Sequence, residues 1–155
     1  MNYNKNDDFL KEENRDGYIV SPLMKKVWSV ELDLLSELDR VCKKYDIKYY
    51  AAFGTLLGAV RNKGFIPWDD DIDVCMLRDD YARLKEVAKD EFSGKYYYQD
   101  WYNSCGRTWI FSKLRNSETT AIEYPDKPEE FNQGIFIDIF LSLIHISEPT
   151  RRRGI

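Results

Sequence analysis

Residues 50–76 read YAAFGTLLGAVRNKGFIPWDDDIDVCM, and this stretch decides how the rest of the chain is interpreted. Its second half holds four aspartates within five positions, Asp69, Asp70, Asp71 and Asp73. Like charges this close repel one another, although an exposed turn tolerates them because water screens the repulsion. Apolar residues interrupt and follow the acids, however, as in a strand that faces a core. The stretch therefore predicts either a solvated acidic turn or carboxylates held together at the end of a strand.

Asp71 and Asp73 are the pair on which the functional interpretation depends. Side chains alternate between the two faces of a strand, so these carboxylates project to one side while Ile72 and Val74 project to the other. Two carboxylates side by side at a strand end are costly unless a cation lies between them. Hard oxygen ligands suit Mg²⁺ or Mn²⁺. The sequence thus predicts a divalent metal site here.

Asp138 is the third candidate metal ligand. It is the only charged residue between Gly134 and Phe140, in a run that is otherwise typical of a buried strand. In-line phosphoryl chemistry often uses two metal ions, and three carboxylates are a natural ligand set for them. The alternative for this residue is a structural ion pair with a lysine or arginine.

A calcium-binding loop is a rival interpretation of the same acids. Asp69, Asp71 and Asp73 fall on the first, third and fifth positions of an EF-hand spacing, with Asp80 at the twelfth. The sixth position of such a loop needs glycine for its sharp turn, and here it is Val74. The sequence therefore disfavours an EF-hand.

Candidate phosphate-binding residues lie on both sides of the acidic segment. Gly54 and Thr55 end a predicted strand and open a short helix, whose free amides could hold a phosphate. Lys113 and Arg115 are two apart in a predicted strand, so they share a face and could neutralise phosphate oxygens. Arg61 invites the same interpretation. The structural alternatives are a plain strand-to-helix turn for Gly-Thr and a solvated face for the cations.

The order of predicted elements gives the fold class. Apolar residues at helical spacing predict a long amphipathic helix over about 22–45, with Ser21 as its N-cap. Shorter helices are predicted over 56–61 and over about 80–90, the second capped by Asp79. Strands are predicted over 47–53, 71–76, 96–98, 108–114, 119–122 and 134–140. This order predicts an α/β or α+β domain with a mixed sheet flanked by helices.

The two ends of the chain are expected to lie outside this domain. Residues 1–20 begin with a charged stretch that lacks periodicity, which predicts a flexible lead. Residues 141–151 read LSLIHISEPTR, which matches the translation of a transposase adaptor used to prepare DNA libraries. We therefore expect residues 141–155 to be non-native, and the domain over 21–140 to be incomplete at its C-terminus. The only histidine, His145, then has no role.

Composition and charge narrow the class of protein. The 155 residues are 43% hydrophobic and 32% charged, which is typical of a globular domain. A net charge of −4 offers no basic face for nucleic acid. No stretch resembles a signal peptide or a membrane span, so we expect a cytoplasmic protein, with attachment to the inner membrane face allowed. Three cysteines without metal-ligand spacing predict reduced thiols.

Residues 50–76 closely resemble the signature of the LicD family, most specifically in GTLLGAVR and GFIPWDDDID. Residues 23–45 are similar to the family's leading helix, residues 111–120 to its next conserved block, and residues 134–140 to the block that holds a third aspartate. The resemblance covers about 23–140. It implies the nucleotidyltransferase superfold of the DNA polymerase beta-like group.

The resemblance also implies residue roles and a reaction. Gly54 and Thr55 would hold nucleotide phosphate, whereas Asp71, Asp73 and Asp138 would bind Mg²⁺ or Mn²⁺. The implied donor is CDP-choline or a related CDP-alcohol. Phosphocholine, or a similar phosphoalcohol group, would pass to a sugar hydroxyl of a surface glycan such as lipopolysaccharide or teichoic acid.

Two other functions stay open on the sequence alone. A chain that lacks its C-terminal part could bind nucleotide or metal without turnover. The same motif chemistry also permits nucleotidyl transfer in the literal sense, in which an NMP group moves to a small acceptor. Release of CMP rather than pyrophosphate distinguishes phosphoalcohol transfer from nucleotidyl transfer.

Overall fold

A computed structural model describes residues 8–103, 111–123 and 132–142 of the chain. In chain order its elements are β1 (Glu13–Arg15), β2 (Tyr18–Val20), α1 (Pro22–Lys44), β3 (Tyr50–Ala51), α2 (Phe53–Arg61), β4 (Asp73–Met76), α3 (Arg78–Glu91), β5 (Tyr96–Gln99), a 3₁₀ turn (Trp101–Asn103), β6 (Ser112–Asn116) and β7 (Phe136–Leu141). Helices combined with a mixed sheet confirm the predicted fold class.

The main sheet has five strands in the order β3-β4-β7-β6-β5. Its β4–β7 pair is parallel, and the other neighbouring strands are antiparallel. A parallel pair needs a long crossover connection, which here includes α3, β5 and β6. The register of this pair sets Asp73 beside Asp138. Residues far apart in the sequence therefore meet at one position of the sheet.

Helix α1 confirms the predicted long amphipathic helix. The Ser21 hydroxyl oxygen accepts a hydrogen bond from the backbone N–H of Met24 at 3.2 Å, and Pro22 follows the cap. One face of the helix packs with the sheet and with α3 in a single apolar core. Its fully or almost fully buried members include Leu34, Leu38, Val41, Ile72, Val74, Met76, Leu84, Ala88, Leu114, Ile137 and Ile139.

Several predicted boundaries differ from the structure. Strand β3 has two residues where seven were predicted over 47–53, and α2 starts at Phe53 because the extended Ala52 already serves as its N-cap. Helix α3 starts at Arg78 after the N-cap Leu77, so the prediction that Asp79 caps it is wrong. Asp79 lies in the first turn instead, where its negative charge suits the helix dipole.

The predicted strands after β5 are confirmed only in part. Strand β6 ends two residues beyond the predicted 108–114, and residues 104–110 lie outside the described part of the chain. The prediction of a strand over 119–122 is wrong. Among the described residues, one sheet-like hydrogen bond is made there, from the Ala121 N–H to the Gln133 carbonyl at 2.7 Å. A single bond of this kind is too little pairing to form a strand.

The prediction of a flexible lead is wrong for residues 13–20, because β1 and β2 form an antiparallel hairpin there. Its turn is Asp16-Gly17, and both residues have positive φ, 52° and 85°, as a two-residue hairpin turn requires. Glu13 forms an ion pair with the almost fully buried Lys25 of α1. The hairpin is therefore fastened to the long helix, whereas residues 1–7 lie outside the described ranges.

At the other end, β7 continues through Leu141, and Ser142 N–H donates to the Met76 carbonyl at 2.8 Å. Residues 143–155 are outside the described ranges, so the adaptor origin of the tail stays a prediction. Cys42 and Cys75 are free thiols. Among the residues described, no helix is long and apolar enough to cross a bilayer.

Candidate active site

Asp73 and Asp138 lie side by side on the two parallel strands β4 and β7. They are paired residues in the strand register, and each is only 8% exposed. Burial raises the pKa of Asp73 to about 7, and repulsion by Asp71 and Asp138 adds to this rise. Burial also raises the pKa of Asp138, although Lys113 opposes the shift. Both shifts arise first from burial and second from repulsion among the carboxyl groups.

Asp69, Asp70 and Asp71 form an acidic turn directly before β4. Carboxylate oxygens of the three residues lie within 4.8 Å of one another, and no other group of three metal-ligating side chains converges so closely in the described ranges. The strand starts at Asp73, two residues later than predicted. The charge of Asp71 nevertheless raises the pKa of both Asp73 and Asp138. Asp73 and Asp138 do not belong to that converging group, so the predicted set of Asp71, Asp73 and Asp138 is not gathered to within 4.8 Å. The metal-binding role of the set stays a prediction.

Helices α1 and α2 hold the acidic segment in place. The indole N–H of Trp28 on α1 donates a hydrogen bond to the Asp69 carbonyl at 2.8 Å. The Thr55 hydroxyl oxygen on α2 accepts one from the Asp73 N–H, also at 2.8 Å. A Cβ on Gly54 would lie 2.4 Å from the Asp69 carboxylate, so only glycine leaves that carboxylate its position. These contacts fix where the acidic turn enters β4.

Gly54 and Thr55 therefore have an observed structural role beside their predicted one. Both lie in the first turn of α2, next to the acids as the sequence predicted. The Asp69 carboxylate occupies the space above Gly54, and the Thr55 hydroxyl is engaged with the start of β4. Their binding of nucleotide phosphate stays a prediction.

Lys113 and Arg115 share one face of β6, as predicted. Both cations lie over the ring of Phe136, 3.4 Å and 4.6 Å from its centroid, and both pair with Glu123. Lys113 Nζ is also 3.1 Å from Asp138 Oδ1. The alternative of a solvated face is wrong, because the two side chains are almost fully buried. The fold thus places Lys113 next to Asp138, the third candidate metal ligand.

The other predicted phosphate ligands differ in their surroundings. Arg115 donates to the Gln99 side chain at 2.5 Å and to the Gly134 carbonyl at 2.9 Å, so much of its guanidinium is used within the fold. Arg61 is exposed at the end of α2, where its guanidinium lies 6.0 Å from the ring of the exposed Trp68. Binding of phosphate by either residue stays a prediction.

Glu31 on α1 is a site residue that sequence reasoning missed. It is 1% exposed, and its Oε2 has no hydrogen-bond partner among the described residues. Burial raises its pKa to about 9, and Asp71 is the largest of several aspartates that add to the rise. The available signal was its spacing, because Glu31 falls on the same buried stripe as Trp28, Leu34 and Leu38.

Two cavities meet at Asp71. The smaller, of about 140 Å³, is lined by Gly54, Thr55 and Asp71 together with apolar side chains of α1 and α2. The larger, of about 500 Å³, is lined by Glu31, Asp70 and Asp71 and by residues next to β7. A group held at Asp71 could therefore extend into either cavity.

Comparison with known proteins shows the family. Residues 46–142 match the model of a protein family that is described as "LicD/FKTN/FKRP, nucleotidyltransferase domain". The lipopolysaccharide cholinephosphotransferase LicD of Haemophilus influenzae is 54% identical over 56 residues, 36% of this chain and 21% of that protein. An uncharacterised Rickettsia prowazekii protein is 34% identical over 130 residues, 79% of this chain and 48% of its own length. A Rickettsia typhi relative is 30% identical over 104 residues, 63% and 33% of the two chains.

The chain spans about a fifth to a half of the length of these curated relatives. The matched residues include the acidic turn, the parallel β4–β7 pair and its facing aspartates. Since the family match covers more than half of the sequence, this chain belongs to the LicD/FKTN/FKRP family of nucleotidyltransferase domains.

Proposed function

We propose that this chain forms the catalytic part of a metal-dependent transferase that moves phosphocholine, or a similar phosphoalcohol group, from a CDP-activated donor to a sugar hydroxyl of a surface glycan. Family membership supports transfer chemistry, and the name of the Haemophilus relative supports a phosphocholine group and lipopolysaccharide. The observation that carries the proposal is the side-by-side placement of Asp73 and Asp138, with Asp71 close to both.

The chemistry of the predicted ligands suits a hard divalent cation. Asp71, Asp73 and Asp138 offer carboxylate oxygens, whose mutual repulsion a cation would relieve. Asp138 Oδ1 is buried and accepts no well-aligned hydrogen bond among the described residues, despite its ion-pair distance to Lys113. Bound Mg²⁺ or Mn²⁺ would supply positive charge to the phosphate oxygens during transfer.

Side chains of the protein would position the metal ligands and remove the proton of the acceptor hydroxyl. Lys113 holds Asp138 in position and adds a fixed positive charge beside it. The acceptor hydroxyl must lose its proton, and a carboxylate oxygen of Asp73 or Asp138 can take it.

The test is a transfer assay with this chain, CDP-choline, Mg²⁺ and a lipopolysaccharide acceptor, in which CMP and choline-labelled glycan are measured. We expect metal-dependent CMP release that Asp73→Asn abolishes without unfolding the domain. Asp90→Asn, at an exposed position of α3, is the matched control and should retain the rate.

Each other outcome has a distinct meaning. Undiminished transfer by Asp73→Asn rules out the assignment of that residue. Calorimetric binding of CDP-choline without any CMP release indicates a binding module rather than an enzyme. Pyrophosphate release from CTP, with the nucleotide joined to a small acceptor, indicates nucleotidyl transfer instead.

A further inference from the structure

The larger cavity at Asp71, which we term the α1 pocket, has an unusual lining. It lies between the first half of α1, the residues that follow β6 and the start of β7, with a volume of about 500 Å³. Its described lining contains no lysine, arginine or histidine. The walls are mostly apolar, and the acids that line it are Glu31, Asp70, Asp71 and Glu123.

Glu31 is the almost fully buried acid of this pocket, and the described part of the chain offers it no ion pair. Glu123 pairs with Lys113 and Arg115, so its charge is already balanced. Glu31 is 1% exposed, and its Oε2 has no hydrogen-bond partner among residues 8–103, 111–123 and 132–142. Burial of a carboxyl group without a partner costs stability. A cation that entered the pocket would favour the ionised form of Glu31 and pair with it.

We propose that the α1 pocket binds the cationic head of the transferred phosphoalcohol, a quaternary ammonium group, and that Glu31 is the residue that selects it. This inference rests on the proposed function, because the phosphate has to be held at Asp71. Because Asp71 lines the α1 pocket, the alcohol substituent of a phosphate held there can extend into this pocket towards Glu31.

The chemistry of the walls favours this head group over a neutral one. A trimethylammonium group carries charge but no hydrogen-bond donor, so apolar walls with a carboxylate satisfy it. The acids of the pocket can accept hydrogen bonds from a glycerol or ribitol chain, but only a cationic head also gains charge attraction. Its methyl groups match apolar walls such as Val27 and Ile122. The ring of Phe136 already lies against Lys113 and Arg115. The carboxylates therefore supply the attraction.

The experiment compares head groups by binding rather than by turnover alone. Calorimetry with the full chain and Mg²⁺ measures the affinities of CDP-choline and CDP-glycerol for wild type, Glu31→Gln and the control Glu86→Gln, an exposed position of α3. We expect the wild type and the control to prefer CDP-choline. Glu31→Gln should weaken CDP-choline binding by about thirtyfold or more, as for loss of one partner of a buried charge pair, and leave CDP-glycerol unchanged.

The outcomes separate this inference from the proposed function. Equal losses for both donors, or weaker Mn²⁺ binding by Glu31→Gln, would place Glu31 at the metal site and overturn the inference. Absence of a choline preference in the wild type also overturns it, whether or not Glu31→Gln folds. Choline preference without any CMP release leaves the inference standing and refutes the transferase. Transfer that is equally fast with CDP-choline and CDP-glycerol supports the transferase and refutes the inference about Glu31.

Discussion

At the scale of single residues, the titration of Asp73 and Glu31 should make the free energy of unfolding depend on pH. Their pKa values in the fold, about 7 and about 9, lie above the ordinary carboxyl range. A raised carboxyl pKa favours folding at low pH, and this contribution is lost as the pH rises from the unfolded pKa to the folded one. The metal-free protein should therefore lose stability from about pH 5 to pH 9.

The contribution of Glu31 can be separated because Asp73 finishes titrating first. Glu31→Gln keeps a neutral side chain of the same shape, so we expect its Tm to fall less than that of the wild type between pH 7 and pH 9. Thermal melts in EDTA measure this, with Glu86→Gln as control. Hydrogen bonds from Lys44 and Tyr45 lower the pKa of Glu91 to about 2. Glu91 therefore affects the pH dependence of stability only at lower pH than the range between pH 7 and pH 9. Parallel Tm curves for Glu31→Gln and wild type would contradict the assignment.

Two glycines give a second prediction at this scale. A Cβ at Gly54 would meet the movable carboxylate of Asp69, whereas a Cβ at Gly134 would come within 2.0 Å of the backbone carbonyl of Asn116. Gly54→Ala should thus reduce CMP release while its Tm stays nearly unchanged. Gly134→Ala should cost about 1–3 kcal/mol in the free energy of unfolding. Urea unfolding and the transfer assay, run on both variants, test this contrast.

The site could be predicted from the sequence only where the signal was local. Alternation within a predicted strand selected Asp71 and Asp73, but the strand begins only at Asp73, so this reason was wrong for Asp71. An isolated charge in an apolar strand selected Asp138, which does lie on a strand beside Asp73. Glu31 was missed because a single acid on a helix stripe is ordinary. Its burial results from packing α1 against the acidic turn, which no short window of sequence contains.

At the scale of elements, α1 serves as the support of the acidic turn. Trp28 holds the Asp69 carbonyl, and its ring stacks on Phe65 at 4.5 Å. Trp28→Phe removes the hydrogen bond and keeps an aromatic ring, so we expect a loss of about 1 kcal/mol in stability. Mn²⁺ affinity should fall by severalfold, because the turn is less firmly placed. Calorimetry with Trp101→Phe as control measures this, and unchanged Mn²⁺ affinity would show that the turn needs no such support.

Elements with long periodic patterns were predictable, and short ones were not. Helix α1 repeats its apolar spacing over 23 residues, so its ends were placed within a residue. Strand β3 is only two residues long, because the chain turns into α2 at Ala52. The strands of the N-terminal hairpin have three residues each, which is too few to show an alternating pattern in the sequence. Its Asp16-Gly17 turn was the stronger signal.

At the scale of the whole molecule, the fold gathers negative charge at one place. The formal net charge is only −4, yet the acidic turn, Asp73, Asp138 and Glu31 affect one another's pKa values. Strand pairing forces this arrangement, since the β4–β7 register brings distant acids together. The sequence predicted Asp71, Asp73 and Asp138 as a set but missed Glu31, and the register arises only from the complete sheet. Folding without a cation therefore works against repulsion.

A divalent cation should consequently stabilise the entire domain. Ligand that binds only the folded state adds about 2.7 kcal/mol at a hundredfold excess over its Kd. We expect millimolar Mn²⁺ or Mg²⁺ at pH 8 to raise the Tm by several degrees, EDTA to reverse the shift, and NaCl of equal ionic strength to give much less. Asp73→Asn should melt higher than the wild type without metal, because it removes a repelled buried charge. It should also lose most of the metal-induced shift, whereas Asp90→Asn keeps it. A full shift in Asp73→Asn would mean that the cation binds elsewhere, and the facing aspartates of β4 and β7 would then need another explanation.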